Sequence, residues 1–201
     1  MNKIKIFMAQ SWLLIVSAFI FGLLIALTNA ALAPIIAQNE KDKLNDLMSS
    51  LVTEADSFEL AVDDANIPAS KGKILITDIY RGIDKAGQTT GFAFIAEGPG
   101  FADKIKLVIA IDSAAEKLLG YKVLSSNETP GFGDKIKEPF FATQFPASPA
   151  AILKLSKQGD AKMIDSQIIA ITGATVSSDA VVKIFNTYIE PVKKQIKEKG
   201  L

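Results

Sequence analysis

The chain has 201 residues, 49% of them apolar, with 22 basic against 22 acidic side chains and a mean hydropathy of +0.27. That length suits one domain with an appendage, and a zero net charge argues against nucleic-acid partners, which call for an excess of Lys and Arg. The absence of Cys removes disulfides, thiolate nucleophiles, zinc fingers and iron–sulfur ligation, and the absence of His removes imidazole bases and imidazole metal ligands. Chemistry is left to carboxylates, hydroxyls, lysines or a borrowed cofactor.

The apolar residues are unevenly placed. From Ile6 to Asn39 there is no charged side chain. Trp12 to Leu32 is long enough for a helix to cross the hydrocarbon core, with Trp12 suited to the interface and Pro34 suited to the helix end. The predicted layout is an N-terminus over 1–11, a transmembrane helix over 12–33, a connecting amphipathic helix over 34–56 and a domain over 57–201. A cleaved signal peptide is the competing explanation, since Ala31-Leu32-Ala33 resembles a cleavage site. The length of the run and the position of Pro34 weigh toward a retained anchor. Lys3 and Lys5 precede the span without acidic neighbours, whereas Glu40-Lys41-Asp42-Lys43 follows it. The positive-inside rule then puts the N-terminus in the cytoplasm and the domain outside it.

Beyond the span, Leu44, Leu47, Met48 and Leu51 fall at helical spacing. Strand patterns follow at 57–62, 74–80, 91–96, 105–111 and 118–124, with a polar turn expected at Asp63-Asp64-Ala65-Asn66. The last run is open to a second assignment, a short helical turn at 114–118. Short connections carrying Gly87, Gly98-Pro99-Gly100 and Gly120 favour antiparallel hairpins over parallel crossovers. From 127 to 159 prolines interrupt the pattern, and Phe140, Phe141 and Phe145 are expected in the core. A further strand is expected within 164–171. A helix from about Val176 closes the chain through Val181, Val182, Phe185, Tyr188, Ile189, Val192 and Ile196, with Pro191 expected to kink or divide it. The fold class is α+β: one membrane helix, then an antiparallel-sheet domain with a C-terminal helix.

Three stretches carry candidate chemistry. Ile171-Thr172-Gly173-Ala174-Thr175-Val176-Ser177-Ser178 ends a strand, turns on small residues and opens a helix with hydroxyls. Free N–H groups and the positive dipole end make such a place suited to phosphate, although it lacks the Lys of a Walker A loop. A plain helix cap by Thr175, Ser177 or Ser178 explains the same residues. In Asn127-Glu128-Thr129-Pro130-Gly131-Phe132-Gly133-Asp134-Lys135, glycines 131 and 133 suit close backbone approach to a flat ligand. Phe132 offers a stacking ring, and Glu128 or Lys135 a polar contact; an ordinary turn with one buried Phe is the simpler alternative. Gly98-Pro99-Gly100-Phe101 reads as a hairpin loop.

Taken in order, Gly-Pro-Gly-aromatic, Glu-Thr-Pro-Gly-x-Gly-x-Lys and Thr-Gly-Ala-Thr-x-Ser-Ser resemble the FMN-binding domain family, and within it the G subunits of Rnf-type ion-translocating electron-transport complexes. The resemblance covers essentially the whole chain. It implies FMN joined through its phosphate to the last Thr of the Thr-Gly-Ala-Thr motif, here Thr175. Thr172, Gly173, Ala174, Ser177 and Ser178 would lie around the attachment point, and the segments 98–101 and 128–135, with Glu128, Thr129, Gly131, Phe132, Gly133 and Lys135, around the ring and phosphate. Family members often carry Asp three residues before the first Thr, where this chain has Ile169, and His two residues before the Glu, where it has Ser126.

The implied role is an electron carrier in a ferredoxin:NAD⁺ oxidoreductase coupled to Na⁺ or H⁺ movement, not catalytic alone and without a metal of its own. Its partners would be the other membrane and peripheral subunits and the lipid bilayer, with no nucleic acid. Two other roles stay open: the C subunit of the related Na⁺-translocating NADH:quinone reductase, and a non-redox membrane-anchored assembly protein. A threonine hydrolase fits poorly, because Thr175 is internal and there is no His base.

Overall fold

A computed structural model describes residues 2–69 and 72–201, with side chains from residue 11 onward. Helix α1 spans Asn2–Leu51, and among the described residues it alone is long and apolar enough to cross a membrane. Pro34 lies inside α1 instead of ending it. A proline removes one intrahelical bond, and the strong helix formers before it, Ala30 to Ala33, help carry the helix past it.

The domain from Leu44 onward is built on one antiparallel meander. Strands β1 (Ser57–Pro68), β2 (Ile74–Ile83), β3 (Thr89–Pro99), β4 (Lys104–Asp112) and β5 (Leu118–Ser126) lie side by side in chain order. Alternation along these strands sorts the side chains onto two faces. Phe92, Phe94 and Ala96 of β3 and Ile105, Leu107, Ile109 and Ile111 of β4 enter the larger core. Ala93, Val108 and Ala110 point the other way and meet Met48, Val52, Leu44, Leu47 and Leu51. The predicted apolar stripe of the connecting helix is thus the cover of one sheet face.

Two local expectations need correction. The polar run at 63–66 is no turn: β1 continues through it, absorbing extra residues at irregularities after Leu60 and Val62. Ala65 and Ile67 return to the core while Asp63 and Asp64 stand out in solvent, as a bulge permits. At 114–118 the helical alternative gives way to a turn, closed by the Asp112 carboxylate accepting from the Glu116 and Lys117 N–H groups.

After β5 the chain makes a 3-10 turn at Gly133–Lys137, a one-turn helix α2 (Pro139–Ala142), and strands β6 (Lys154–Ser156) and β7 (Gln167–Ile169), which pair in parallel. Helix α3 (Thr175–Lys199) then packs on the larger core through Val181, Phe185, Tyr188 and Val192, each at most 1% exposed. Pro191 does not divide α3: Ile189 before it and Val192 and Ile196 after it are all buried, so packing holds the helix together across the missing bond. Gly200, at φ 69, closes the helix in the left-handed conformation that glycine adopts without strain.

Phe141 and Phe145 join Tyr121 and Phe185 in an aromatic cluster with centroids 4.7–5.6 Å apart. Phe140 is an exception to its prediction, being 56% exposed. In a one-turn helix, neighbours 140 and 141 face different ways, and only one can reach the core. The Tyr121 hydroxyl donates to the Ile136 carbonyl, and burial pushes its pKa far above the ordinary phenol value.

Candidate functional site

Two turns of the same construction face one another. In the first, Phe132 N–H donates to Thr129 O (3.2 Å) around Pro130 and Gly131, with Gly131 at φ 76. In the second, Ala174 N–H donates to Ile171 O (3.0 Å) around Thr172 and Gly173, with Gly173 at φ 82. A positive φ at the third position is what such a turn requires, and glycine supplies it without a Cβ clash. Between them lies a cleft of about 410 Å³, lined by Phe101, Thr129, Phe132, Gly133, Gly173, Ala174, Thr175, Val176 and Ser177. That volume falls in the range of small-ligand sites, roughly 300–1,000 Å³.

Thr175 is the first residue of α3 and is half-buried at the cleft wall. The capping explanation does not hold, for Ala174 occupies the cap position and no side-chain hydrogen bond caps α3 among the described residues. Two of the hydroxyls expected to cap or to hold a phosphate, those of Ser177 and Ser178, are engaged elsewhere. Ser178 Oγ accepts from Ile171 N–H (3.0 Å) and donates to Ala174 O (2.9 Å), tying the strand end to the helix start. Ser177 Oγ donates to the Glu128 carboxylate. An uncapped helix start keeps its first N–H groups available, and the first turn carries no acidic side chain. It therefore favours an anion.

Large apolar side chains at the mouth are left in solvent: Phe101 is 67% exposed, Phe132 58% and Val176 56%. Glu128 is not among them. It is 5% exposed and lies behind the wall, accepting from Phe101 N–H (2.9 Å) and Ala102 N–H (3.0 Å) as well as from Ser177. Beside it Asn127 donates to Asp103 (2.9 Å), a bond that holds the Asp103 carboxyl below its ordinary pKa.

Of the residues singled out in the sequence, Thr129, Phe132, Gly133, Gly173, Ala174, Thr175 and Ser177 meet at this cleft. Thr172 and Gly131 belong to its two turns but do not line it, and Lys135 sits half-buried in the 3-10 turn, away from the lining. Ser178 is wholly buried beneath the helix start. Gly133 is close-packed for a reason other than a ligand: a Cβ there would fall 2.6 Å from Glu128 Oε2 and 2.6 Å from Ser177 Oγ. Val176 is a lining residue that the motif reading passes over. Its signal is an apolar residue in the first helical turn, outside the apolar stripe of α3.

The cleft suits a ligand with a flat apolar part and an anionic end, the first against Phe101 and Phe132, the second at the start of α3. Comparisons with known proteins point the same way. Residues 100–190 match the model of the FMN-binding domain. The chain is 31% identical to the G subunit of the proton-translocating ferredoxin:NAD(+) oxidoreductase complex of Clostridium ljungdahlii, over 89% of this chain and 88% of that one. It is 29% identical to the G subunit of the ion-translocating oxidoreductase complex of Methanosarcina acetivorans, over 90% and 89%. Among solved structures it is similar in fold to Shewanella oneidensis NqrC (TM-score 0.57, 19% identity, 73% of each chain). The C subunit of the Na(+)-translocating NADH-quinone reductase of Parabacteroides distasonis matches likewise (TM-score 0.57, 18% identity, 77% of this chain and 92% of that one).

Proposed function

The chain belongs to the family of G subunits of ion-translocating oxidoreductase complexes, and from that premise we propose that it relays electrons through an FMN esterified to Thr175. The observation that carries the proposal is the place of Thr175: first residue of an uncapped 25-residue helix, in the wall of a cleft with two exposed phenyl rings. FMN, when bound, supplies a centre that takes up and returns electrons, singly or in pairs.

The chain's own residues do the rest. Thr175 Oγ1 provides the ester oxygen. The free N–H groups of the first turn of α3 would hold the single negative charge of a phosphodiester, a favourable arrangement by about 0.3–1 kcal/mol. Phe101 and Phe132 would shield an aromatic ring system from water, and Gly173 presents no side chain beside Phe132. A covalent link prevents loss of the cofactor on a side of the membrane where free flavin is scarce.

The protein is a membrane-associated redox component working with the other subunits of its complex. In the arrangement proposed, residues 12–33 cross the bilayer, the N-terminus is cytoplasmic, and the domain from 57 to 201 lies outside with 34–56 connecting them. The excess of basic charge before the span supports this orientation. The likeness to the NADH-quinone reductase proteins extends to the fold, and the curated relatives support the G-subunit role.

Thr175→Ala tests the proposal. Chain produced in cells that possess the flavin-attaching enzyme, then denatured, should fluoresce in a gel and carry the mass of one FMN residue. The alanine variant should show neither while keeping the same far-UV circular dichroism. A wild-type chain with a free Thr175 hydroxyl would overturn it.

A further inference from the structure

Glu128 is a carboxylate buried in a loop, and both its oxygens act only as acceptors. One oxygen takes the N–H groups of Phe101 and Ala102, in the connection between β3 and β4. The other takes the hydroxyl of Ser177, in the first turn of α3. Its own backbone lies at the start of the loop that carries Thr129, Phe132 and Gly133. A single side chain therefore joins the three segments that line the cleft, although two of them are 27 and 49 residues away from it in sequence.

The glycines around it fit this role. A Cβ on Gly100 would collide with Glu128 Oε1, and one on Gly133 would sit 2.6 Å from Oε2. Neither approach is tolerable for a carbon against an oxygen, so one glycine in each of two loops makes room for the carboxylate. Phe101, Gly133 and Ser177, the cleft-lining residues that touch Glu128, place its charge directly behind the wall.

We infer that Glu128 is a positioning residue: it fixes the spacing of Phe101, Phe132 and the start of α3, and it places a negative charge beside whatever group the cleft holds. It does so without reaching the cleft itself. In the flavin-loaded protein, which rests on the function proposed above, that charge opposes the addition of electrons and draws the flavin potential downward.

Two variants separate geometry from charge. Glu128→Ala removes all three acceptor contacts, whereas Glu128→Gln keeps an oxygen for Phe101 and Ala102 and lets the Ser177 hydroxyl turn to accept from the amide. Hydrogen exchange on the full chain in detergent should show the Phe101 and Ala102 amides exchanging at least tenfold faster in the alanine variant. The glutamine variant should restore most of their protection. In redox titrations of the flavinylated chain, Glu128→Gln should move the flavin midpoint to more positive values at unchanged covalent flavin content. Unaltered exchange in the alanine variant overturns the clamp, with or without flavin present. A glutamine variant with the wild-type midpoint overturns the assignment of a charge effect. A wild-type chain that carries no flavin defeats the proposed function instead, and the exchange measurement still decides the clamp.

Discussion

From Ser57 to Ser126 the chain is held by ladders of paired residues, nine pairs in unbroken register between β3 and β4 alone. From Asn127 to Ala174 the strands are three residues long, and the backbone is tied at intervals by single side chains. Gln144, 2% exposed, accepts from Ile169 N–H (2.7 Å) and donates to Ile169 O (3.1 Å). Asn186 does the same for Leu153 at 2.8 and 2.9 Å. Glu128 and Tyr121 add their own ties. A ladder loses little when one bond breaks, because its neighbours hold the register. A segment hung from separate side chains loses its course wherever one is cut. The cleft walls belong mostly to the second kind, so the site can be altered while the sheet persists.

The largest effect that would sharpen this contrast is expected from Gln144→Leu, which leaves the half-buried Ile169 N–H and C=O without their side-chain partner. A fully buried orphan costs about 1–3 kcal/mol, and two half-buried ones fall short of the upper value, so a loss of about 2–4 kcal/mol is expected. Hydrogen exchange should accelerate at Ile168 to Ala170 well before it does at Leu107 to Ala110. Equal acceleration in both regions would show the two to be one cooperative unit and erase the distinction.

The same division explains what is legible in the sequence. Alternating apolar residues report the five strands, and a 3.6-residue period reports α3 and the cover at Leu44 to Leu51. Local punctuation is less reliable: Pro34 and Pro191 lie inside helices, and the run at Asp63 is a bulge. The motif residues stand out because their spacing is compact, and most line the cleft. The ties do not stand out. Gln144 reaches Ile169 across 25 residues and Asn186 reaches Leu153 across 33, with no periodicity to mark them. Glu128 belongs to a visible motif, but a sequence does not show that the glycines near it accommodate its own carboxylate instead of a ligand.

A smaller effect comes from the joint between the regions. Tyr121 stands on β5 and donates to Ile136 O in the loop, so Tyr121→Phe strands that carbonyl at a cost of about 1–3 kcal/mol at neutral pH. The pH dependence has a definite sign. Because burial raises the phenol pKa in the folded state, the native protein keeps its proton when the unfolded chain releases it near pH ~10. The stability that the tyrosine contributes is therefore complete below that pH and declines above it. Denaturation midpoints of wild type and variant should converge as the pH is raised from neutral to about 11. Tyr188 and Tyr80, whose pKa values are also raised, chiefly by burial, leave the variant some alkaline sensitivity of its own. A gap that widens with pH would contradict the burial of this hydroxyl.

The smallest effect concerns two alanines in the left-handed region, one in each part of the domain. Ala147, at φ 64, is exposed in the loop segment, whereas Ala115, at φ 54, sits in the β4–β5 turn with 8% exposure. Replacing either with glycine relieves about 1–2 kcal/mol of backbone strain and adds about 0.5–1 kcal/mol of unfolded-state entropy. At Ala147 the methyl faces solvent and nothing else is lost, so Ala147→Gly should stabilise the chain by up to about 1 kcal/mol. At Ala115 the methyl belongs to the larger core, and its removal forfeits about 0.8 kcal/mol of burial, leaving little or no gain. Paired thermal melts of the two variants should therefore separate by a degree or more, with Ala147→Gly the higher. The reverse order would mean that backbone strain at 147 is already relieved by the bond from its N–H to Leu118 O, and that the loop borrows more from the sheet than its sparse ties suggest.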